Sequence, residues 1–445
     1  MLNKKATILS SFGELVTSAF YPAATHLYET GEIPFIRCVD CVKYPIISKL
    51  QDKLFERIPL SFFKEHSTIK KLSKNEIVVT KVGTPCFASI IYEQNFVALS
   101  RTVFGISKIH GINPFYLLIF LRSHYGFNQL LRQREQTIQF QLTLERVRNI
   151  LIYEPSSSFQ TKIEKLVKTA YAKLEQSKTL YTQAESLLLQ ELGLDNWQQP
   201  KEAVAIKNFS ASFGATGRLD AEYYQPKYDK LYKLLHKTSR VKGWELLSLG
   251  SLSEPLKYGS SEKLEYLDKG VPFLRIADLE QNRFEPANLK YIYPQKAAKI
   301  EKQVKVKTGD VLISRSGTLG LAVVIPDTLN EAVFGSYFIR ARLNQCILDS
   351  TYLALYMSSL VGKLQVEQAN TGAVQTNLTI PVIESLQMIC PPLKIQKKFV
   401  RKVHQSYTLK DESKRLLETA KHAVELAIEQ GEYAAIALLN DYQSF

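Results

Sequence analysis

The sequence predicts an α+β protein in which two repeated strand-rich domains are separated by two long helices, which pair as an antiparallel coiled coil. Two observations lead to this prediction. Segments of the first half recur in the same order in the second half, and two long stretches carry a narrow apolar stripe at helical spacing. A chain of 445 residues is also too long for a single hydrophobic core.

The internal repeat extends along most of the chain at a spacing of 234 to 238 residues. The segment "IPFIRCVD" (33–40) matches "VPFLRIAD" (271–278), and "IVVTKVGT" (77–84) matches "VLISRSGT" (311–318). Self-similarity at a fixed spacing is typical of duplicated structural units. We therefore expect two related domains.

Each repeat begins with short apolar or alternating runs that Gly, Pro and Asp interrupt, as in "VKVKTGDVLISRSG" (304–317), a pattern typical of strands and turns. A helix is predicted at 350–368. The segment "TGAVQTNL" (371–378) follows, matched in the first half by "TIQFQL" (137–142). The apolar stretch from Ile380 to Ile389 is predicted to be a strand.

The two long helices are predicted at 156–192 and 395–431, where apolar residues recur every three or four positions. Gly193 and Gly431 end the two patterns. Two narrow apolar seams in one chain favour an antiparallel coiled coil. The alternative is that each helix packs only on its own strand-rich half.

These patterns divide the chain into six segments. They are a first strand-rich domain at 1–155, the central long helix at 156–192, a linker at 193–220, a second strand-rich domain at 221–394, the C-terminal long helix at 395–431 and a tail at 432–445.

The net charge of +14 lies mostly in the two strand-rich halves. Residues 1–155 carry 19 Lys and Arg against 12 acidic residues, and residues 221–394 carry 22 against 17. This distribution is expected if each half faces a polyanion, and a basic surface that merely keeps the protein soluble fits it equally well. The five cysteines, the short apolar runs and the lack of a signal peptide predict a cytoplasmic protein that does not enter a membrane.

The sequence lacks the common catalytic motifs. It has no G-x-x-x-x-G-K-[ST], no H-x-E with paired cysteines and no G-x-S-x-G, and "NPFY" (113–116) is not the N-P-P-[YF] of amino-methyltransferases. Cys38 and Cys41 form a single C-x-x-C, which we interpret as two ordinary strand residues in preference to a zinc site. We therefore expect no enzyme, no cofactor and no metal.

Several motifs of the second half resemble the specificity (S) subunits of type I restriction-modification systems. They are "RLDAEYYQPKYDKL" (218–231), "VPFLRIADL" (271–279), "VKTGDVLISRSGTLG" (306–320) and "TGAVQTNLTIPVIESLQMICPPLKIQ" (371–396). The family pattern of two target-recognition domains, each followed by a long helix, covers nearly the whole chain. The first half is more diverged, with "LSKNEIVVTKVGTP" (72–85) at the corresponding place.

The resemblance implies a non-catalytic protein that reads a bipartite, asymmetric site on double-stranded DNA, each target-recognition domain reading one half. It implies two DNA methyltransferase subunits as partners, and restriction subunits with motor and nuclease activity. Two other interpretations stay open at this stage: a stand-alone two-domain nucleic-acid-binding regulator, and a coiled-coil adaptor protein.

On this resemblance, Gln and Asn side chains of the 371–378 segment suit the edge of adenine, and Arg315 suits guanine. Alternatively, Asn377 and Thr376 only cap the next strand, and Arg315 anchors a phosphate or lies on the strand surface. The residues predicted to bind DNA are Lys81, Thr84, Arg101, Gln139, Gln141, Lys257, Arg275, Arg315, Ser316, Thr318, Gln375 and Asn377.

Overall fold

A computed structural model describes residues 5–28, 31–49, 54–84, 86–135, 141–198, 200, 205–280, 282–300, 304–370 and 377–441. The chain forms two compact units. The first comprises Met1–Ser177 with Thr408–Phe445, and the second comprises Lys178–Tyr407. The boundary between the units falls within both long helices, so each unit contains one half of each helix.

The first unit is built on short strands. In chain order they are β1 (Ala6–Ile8), β2 (Glu14–Val16), β3 (Ile33–Ile36), β4 (Ile46–Ile47), β5 (Arg57–Ile58), β6 (Lys71–Ser73), β7 (Ile77–Thr80), β8 (Ala88–Ile91), β9 (Phe96–Leu99), β10 (Val103–Ser107), β11 (Arg134–Glu135), β12 (Gln141–Leu142) and β13 (Leu151–Tyr153). The larger sheets have the strand orders β2-β10-β7-β8-β4 and β5-β3-β9-β6.

Short helices connect these strands, and one long helix follows them. They are α1 (Cys38–Lys43), α2 (Leu60–Glu65), α3 (Pro114–Arg122), α4 (His124–Arg132), α5 (Leu144–Val147) and the long α6 (Ser157–Glu191). The start of α3 shows why a helix begins there. The Asn113 side chain accepts the backbone N–H of Phe115 at 2.9 Å, and Pro114 occupies the first helical position, where no N–H is needed.

The second unit repeats this arrangement. Its strands are β14 (Glu245–Ser248), β15 (Lys257–Tyr258), β16 (Val271–Leu274), β17 (Leu279–Glu280), β18 (Arg283–Phe284), β19 (Lys290–Ile292), β20 (Val311–Ser314), β21 (Ala322–Val324), β22 (Val333–Phe334), β23 (Phe338–Ala341) and β24 (Gln387–Cys390). Its main sheets have the orders β15-β23-β20-β21 and β19-β16-β22.

The helices of the rest of the chain are again short, apart from one. They are α7 (Phe213–Thr216), α8 (Pro226–Lys242), α9 (Pro294–Lys299), α10 (Ser350–Ser358), α11 (Leu360–Ala369), α12 (Ile380–Ser385), the long α13 (Leu393–Gln430) and α14 (Glu432–Asp441). The helix predicted at 350–368 is thus two helices, α10 and α11. Ser359 interrupts them by adopting an extended backbone.

Equivalent contacts recur in the two units, which confirms the predicted repeat. Strand β3 pairs in parallel with β9, and β16 pairs in parallel with β22. The Tyr116 hydroxyl donates to the carbonyl of Tyr153 at 2.8 Å, and the Tyr352 hydroxyl donates to that of Ile389 at 3.0 Å. Both tyrosines are fully buried, so each satisfies its polar group inside a core.

The two long helices pair in antiparallel fashion within each unit. In the first unit the Ser413 hydroxyl of α13 donates to the carbonyl of Ala170 in α6 at 2.6 Å. In the second unit the rings of Tyr181 and Tyr407 have centroids 6.5 Å apart, and Lys402 donates to Gln183 at 3.0 Å. Higher numbers on α6 meet lower numbers on α13, as an antiparallel coiled coil requires.

Each helix half also shares a hydrophobic core with the strand-rich part of its unit. In the first unit, Ile163 and Val424 belong to the same buried cluster as Phe104 and Tyr116. In the second unit, Leu188 and Phe399 share a cluster with Tyr352. The two alternatives weighed for the helices are therefore both realised, because each helix packs on its partner helix and on its own domain.

Two expectations about local structure are wrong. The stretch from Ile380 to Ile389 is a helix followed by a strand, because Pro381 lies in the first turn of α12 and the apolar run is too short to separate the two structures by period. Cys38 and Cys41 lie on α1, not on a strand. The Asp40 carboxylate accepts the N–H of Arg37 at 2.8 Å and so stabilises the first turn of this helix.

Two searches of the described residues were negative. No helix there has both the length and the apolar character needed to cross a membrane. No group of three or more His, Cys, Asp and Glu side chains in the same ranges is arranged to hold a metal ion.

Candidate nucleic-acid interface

In the second unit, a tight loop follows β20 and carries three of the predicted contact residues. Ser314, the last residue of β20, closes this loop, because its carbonyl accepts the N–H of Gly320 at 2.9 Å and its hydroxyl accepts the N–H of Leu321 at 2.8 Å. Gly317 and Gly320 both have a φ of +73°, a conformation that glycine adopts without strain. We call residues 315–320 the second loop.

The first unit has an equivalent loop after β7. Thr80 takes the place of Ser314, since its carbonyl accepts the N–H of Cys86 at 3.1 Å and its hydroxyl accepts the N–H of Phe87 at 2.9 Å. Residues 81–84 and Cys86 belong to this first loop, which contains Lys81 and Thr84. The two loops therefore share one backbone frame with different side chains.

A second segment is joined to each loop by one backbone hydrogen bond. The N–H of Leu378 donates to the carbonyl of Arg315 at 2.8 Å, and the N–H of Leu142 donates to that of Lys81 at 3.1 Å. Both leucines are buried, whereas the preceding Asn377 and Gln141 are exposed. Two polar side chains that the repeat aligns are thus held beside the two loops. Gln139 and Gln375, also predicted to bind DNA, lie outside the described residues.

Arg315 is bound to its surroundings on several sides. Its Nε donates to the carbonyl of Leu378 at 3.1 Å, and its guanidinium carbon lies 4.9 Å from the ring centroid of Tyr258. The Tyr258 hydroxyl in turn accepts the N–H of Ile380 at 3.1 Å. The side chain of Arg315 thus helps to hold the segment that follows Asn377.

Lys81, the counterpart of Arg315, makes a simpler contact. Its Nζ donates to the hydroxyl of Thr17 at 3.1 Å, and partial burial lowers the pKa of the ammonium group. A nearby anion would raise that pKa again.

The remaining residues of the loops differ in exposure. Thr84 and Thr318 are exposed and Ser316 is half-buried. The Cys38 thiol lies 3.4 Å from the Thr84 carbonyl, and burial raises the pKa of this thiol. The three hydroxyls lie on the same two loops as Lys81 and Arg315.

Three predicted residues lie outside the loops. Arg275 forms an ion pair with the buried Asp278, whose hydrogen bonds raise the pKa of the arginine. Lys257 lies on β15 opposite Arg340, and Arg101 is exposed. The structure thus places five predicted residues on the two loops, with Asn377 and Gln141 beside them.

Sequence reasoning missed the residues that support the loops. Tyr258 lies on β15, Thr17 directly follows β2, and Tyr337, which is 60% exposed, accepts the N–H of Arg315 through its carbonyl at 2.8 Å. Their positions depend on strand pairing, because Tyr258 lies opposite Ile339 on β23. The internal repeat was the available signal, because Thr17 and Tyr258 lie 241 positions apart, close to the repeat spacing of 234 to 238 residues.

A comparison with protein families identifies the second half of the chain. Residues 241–421 match the family described as "Type I restriction modification DNA specificity domain". The matched stretch includes the second loop, Asn377 and most of α13. The resemblance to type I specificity subunits is thereby confirmed.

Individual relatives have the same description. The chain is 25% identical over 174 residues to the "Type I restriction enzyme StySPI specificity subunit" of Salmonella potsdam, a match that covers 38% of this chain and 37% of that relative. Among solved structures, the S subunit of a type I restriction-modification system from M. genitalium aligns over 98% of this chain and 96% of its own, with 11% identity and a TM-score of 0.44. The HsdS subunit from Thermoanaerobacter tengcongensis aligns over 81% and 82%, with 17% identity and a TM-score of 0.31.

Proposed function

We propose that the chain is the DNA sequence-specificity subunit of a type I restriction-modification complex. Each unit reads one half of a bipartite, asymmetric site on double-stranded DNA. The chain is non-catalytic and docks two DNA methyltransferase subunits, which restriction subunits can join.

The observation that carries this proposal is the repeated loop frame with different exposed side chains. Gln141 and Asn377 each present a donor and an acceptor, the pair of groups that recognises the N6 and N7 edge of adenine in the major groove. Lys81 and Arg315 supply the adjacent positive charge. Because the two loops share the same backbone hydrogen bonds but carry different side chains, we expect two half-sites of different sequence.

The charge of the two strand-rich halves supports a DNA ligand. Residues 1–155 and 221–394 both carry more basic than acidic residues. Each half therefore attracts the DNA phosphates that flank the bases contacted by its loop. Exposed hydroxyls such as those of Thr84 and Thr318 suit contacts to the phosphate backbone.

The proposed docking face lies on the outer side of α13. Lys394, Lys397, Lys398 and Arg401 are exposed and recur at the spacing of one helix face, with no acidic residue from 394 to 410. Lys394, Lys397 and Arg401 line a groove of about 450 Å³ together with Val400. A partner with an acidic surface fits this face.

Methylation mapping tests the proposal. The chain is coexpressed with the methyltransferase subunits in a host that lacks other adenine methylation, and single-molecule sequencing reads the modified sites. We expect one bipartite motif, with two specific halves separated by a fixed number of unspecified bases. The control omits the chain, which should abolish methylation, and the chain without its partners should transfer no methyl group.

Other outcomes would replace the proposal. Equal sequence-specific binding by the isolated chain and by the complex, without methylation, would identify a stand-alone regulator. Assembly with the partners but no DNA binding by any complex would identify an adaptor. A methylated motif that is one contiguous sequence, with no gap of unspecified bases, would overturn the assignment of one half-site to each unit.

A further inference from the structure

We infer that Arg315 and Tyr258 form a positioning pair, which holds Asn377 in place for base recognition while Arg315 itself does not read a base. This inference rests on the proposed function and assigns a specificity role to Tyr258. In the described part of the first unit, Lys81 contacts the Thr17 hydroxyl instead, so the two units hold their reading segments in different ways.

The pair holds the segment after Asn377 at two points. At Leu378, the Arg315 carbonyl accepts the backbone N–H at 2.8 Å, and Arg315 Nε donates to the backbone carbonyl at 3.1 Å. At Ile380, the Tyr258 hydroxyl accepts the backbone N–H at 3.1 Å. Asn377 is exposed and precedes these anchors directly, so their geometry sets the direction of its side chain.

Stacking joins the two anchors into one unit. The guanidinium of Arg315 lies 4.9 Å from the centroid of the Tyr258 ring, within the range of a cation–π interaction. Tyr258 is itself fixed by strand pairing, because it lies opposite Ile339 in the register of β15 and β23. The sheet therefore fixes the tyrosine, the tyrosine orients the arginine, and both hold the segment.

These contacts argue against direct reading by Arg315. Bidentate recognition of guanine needs two adjacent N–H groups on one edge of the guanidinium. The Nε edge is already bonded to the carbonyl of Leu378, and Nη1 lies 3.5 Å from the carbonyl of Ser336. Binding guanine through the Nε edge would break the bond to the Leu378 carbonyl, and binding through the Nη1–Nη2 edge would compete with the contact to the Ser336 carbonyl.

The first unit provides the contrast. Lys81 occupies the position of Arg315 and donates to the Thr17 hydroxyl at 3.1 Å, and Thr17 follows Val16, which pairs with Gly105 on β10. A lysine and a threonine cannot reproduce the planar stack. Gln141 is instead held by the pairing of β12 with β11, in which it lies opposite Glu135.

A direct test measures amide hydrogen exchange in the chain alone. Tyr258→Phe keeps the ring and removes the hydroxyl that accepts the Ile380 N–H. We expect exchange at Ile380 to accelerate at least tenfold, while Leu378 changes little. Arg315→Lys removes the Nε donor and the planar stack, and we expect faster exchange at both amides. Unchanged exchange at Ile380 in Tyr258→Phe would overturn the inference whatever the function of the chain.

The functional test compares methylation motifs of reconstituted complexes. We expect Arg315→Lys and Tyr258→Leu to lower discrimination about tenfold at one position of the second unit's half-site, the position that Asn377→Ala also relaxes. Arg315→Lys added to Asn377→Ala should then change the motif no further. Lys81→Arg is the matched control and should leave that half-site unchanged.

The outcomes separate the inference from the proposed function. If Arg315→Lys relaxes a different base position, and its effect adds to that of Asn377→Ala, Arg315 reads DNA directly and the inference is wrong. If wild-type complexes methylate no bipartite motif, the proposed function fails, and the exchange measurements still decide whether the positioning pair exists.

Discussion

Replacing Gln396 by Leu tests how the second unit is attached to its long helix. The Gln396 side chain is fully buried at the start of α13, where its Oε1 accepts the N–H of Asp349 at 2.9 Å. Its Nε2 donates to the carbonyls of Ile347 and Pro391 at 2.7 and 2.8 Å. Leucine leaves these three backbone groups, which are buried or partly buried, without their side-chain partner. At about 1 to 3 kcal/mol for each such group, offset in part by the apolar side chain, we expect a loss of about 3 to 5 kcal/mol.

Tryptophan fluorescence during urea unfolding measures this loss in one unit. The chain has two tryptophans, Trp197 and Trp244, and both belong to the second unit. For an m-value of about 3 kcal/mol/M, a loss of 3 to 5 kcal/mol lowers the midpoint by about 1 to 1.7 M. The m-value itself should stay the same, because the surface exposed on unfolding does not change.

The matched control is Gln160→Leu at the equivalent position of the first unit. Gln160 accepts the N–H of Asn113 at 2.8 Å and donates to the carbonyl of Pro155 at 3.0 Å. This variant should leave the tryptophan transition in place. An unchanged midpoint in Gln396→Leu would refute the reasoning about buried hydrogen bonds, and equal shifts in both variants would refute the assignment of the signal to one unit.

Three further predictions concern the proposed function. Asn377→Ala should relax the specificity at one base position of one half-site, at a cost of about 1 to 3 kcal/mol, and Gln141→Ala should do so at one position of the other half-site. Methylation mapping would show both effects. Relaxation of both half-sites by either variant contradicts this prediction. Burial lowers the pKa of Lys81 in the free protein, and a DNA phosphate would raise it. The contribution of Lys81 to DNA affinity is therefore complete at pH values below the free-state pKa, and it is lost as the pH rises through the pKa of the bound state. Binding titrations should show this loss in the wild type and not in Lys81→Arg. The double variant Lys397→Glu and Arg401→Glu should weaken assembly with the methyltransferase, as mass photometry would show. If assembly stays intact and DNA binding is lost, this face binds DNA instead.

The architecture was predictable because the sequence contains apolar residues at helical spacing and an internal repeat. The apolar stripe predicted the long helices, observed at Ser157–Glu191 and Leu393–Gln430, and the repeat predicted that Tyr116 and Tyr352 occupy equivalent places. Local periods fail where a segment is short. The run from Ile380 to Ile389 holds both a helix and a strand, and Pro381 was its one helical signal.

The contacts of the candidate site were not predictable in the same way. The sequence places Arg315 and Asn377 far apart and gives no sign that Arg315 stacks on Tyr258. That contact depends on the register of β15 with β23, which no local pattern determines. The repeat could align Lys81 with Arg315, but not the partners of each side chain, because Thr17 and Tyr258 differ in chemistry.

Under the proposed function, a backbone frame that both units share, with different exposed side chains at Gln141 and Asn377, allows one duplicated domain to serve two different half-sites. The frame uses backbone groups and buried side chains, such as the hydroxyls of Thr80 and Ser314 that close the two loops. The tips, Gln141 and Asn377, are exposed, so a change there removes no core contact. The side chains proposed to contact bases can therefore differ between the units without a change in either hydrophobic core. The proposed positioning pair is the exception, because Arg315 belongs to the loop and bonds to Leu378 beside Asn377, and we expect substitutions there to alter both stability and recognition.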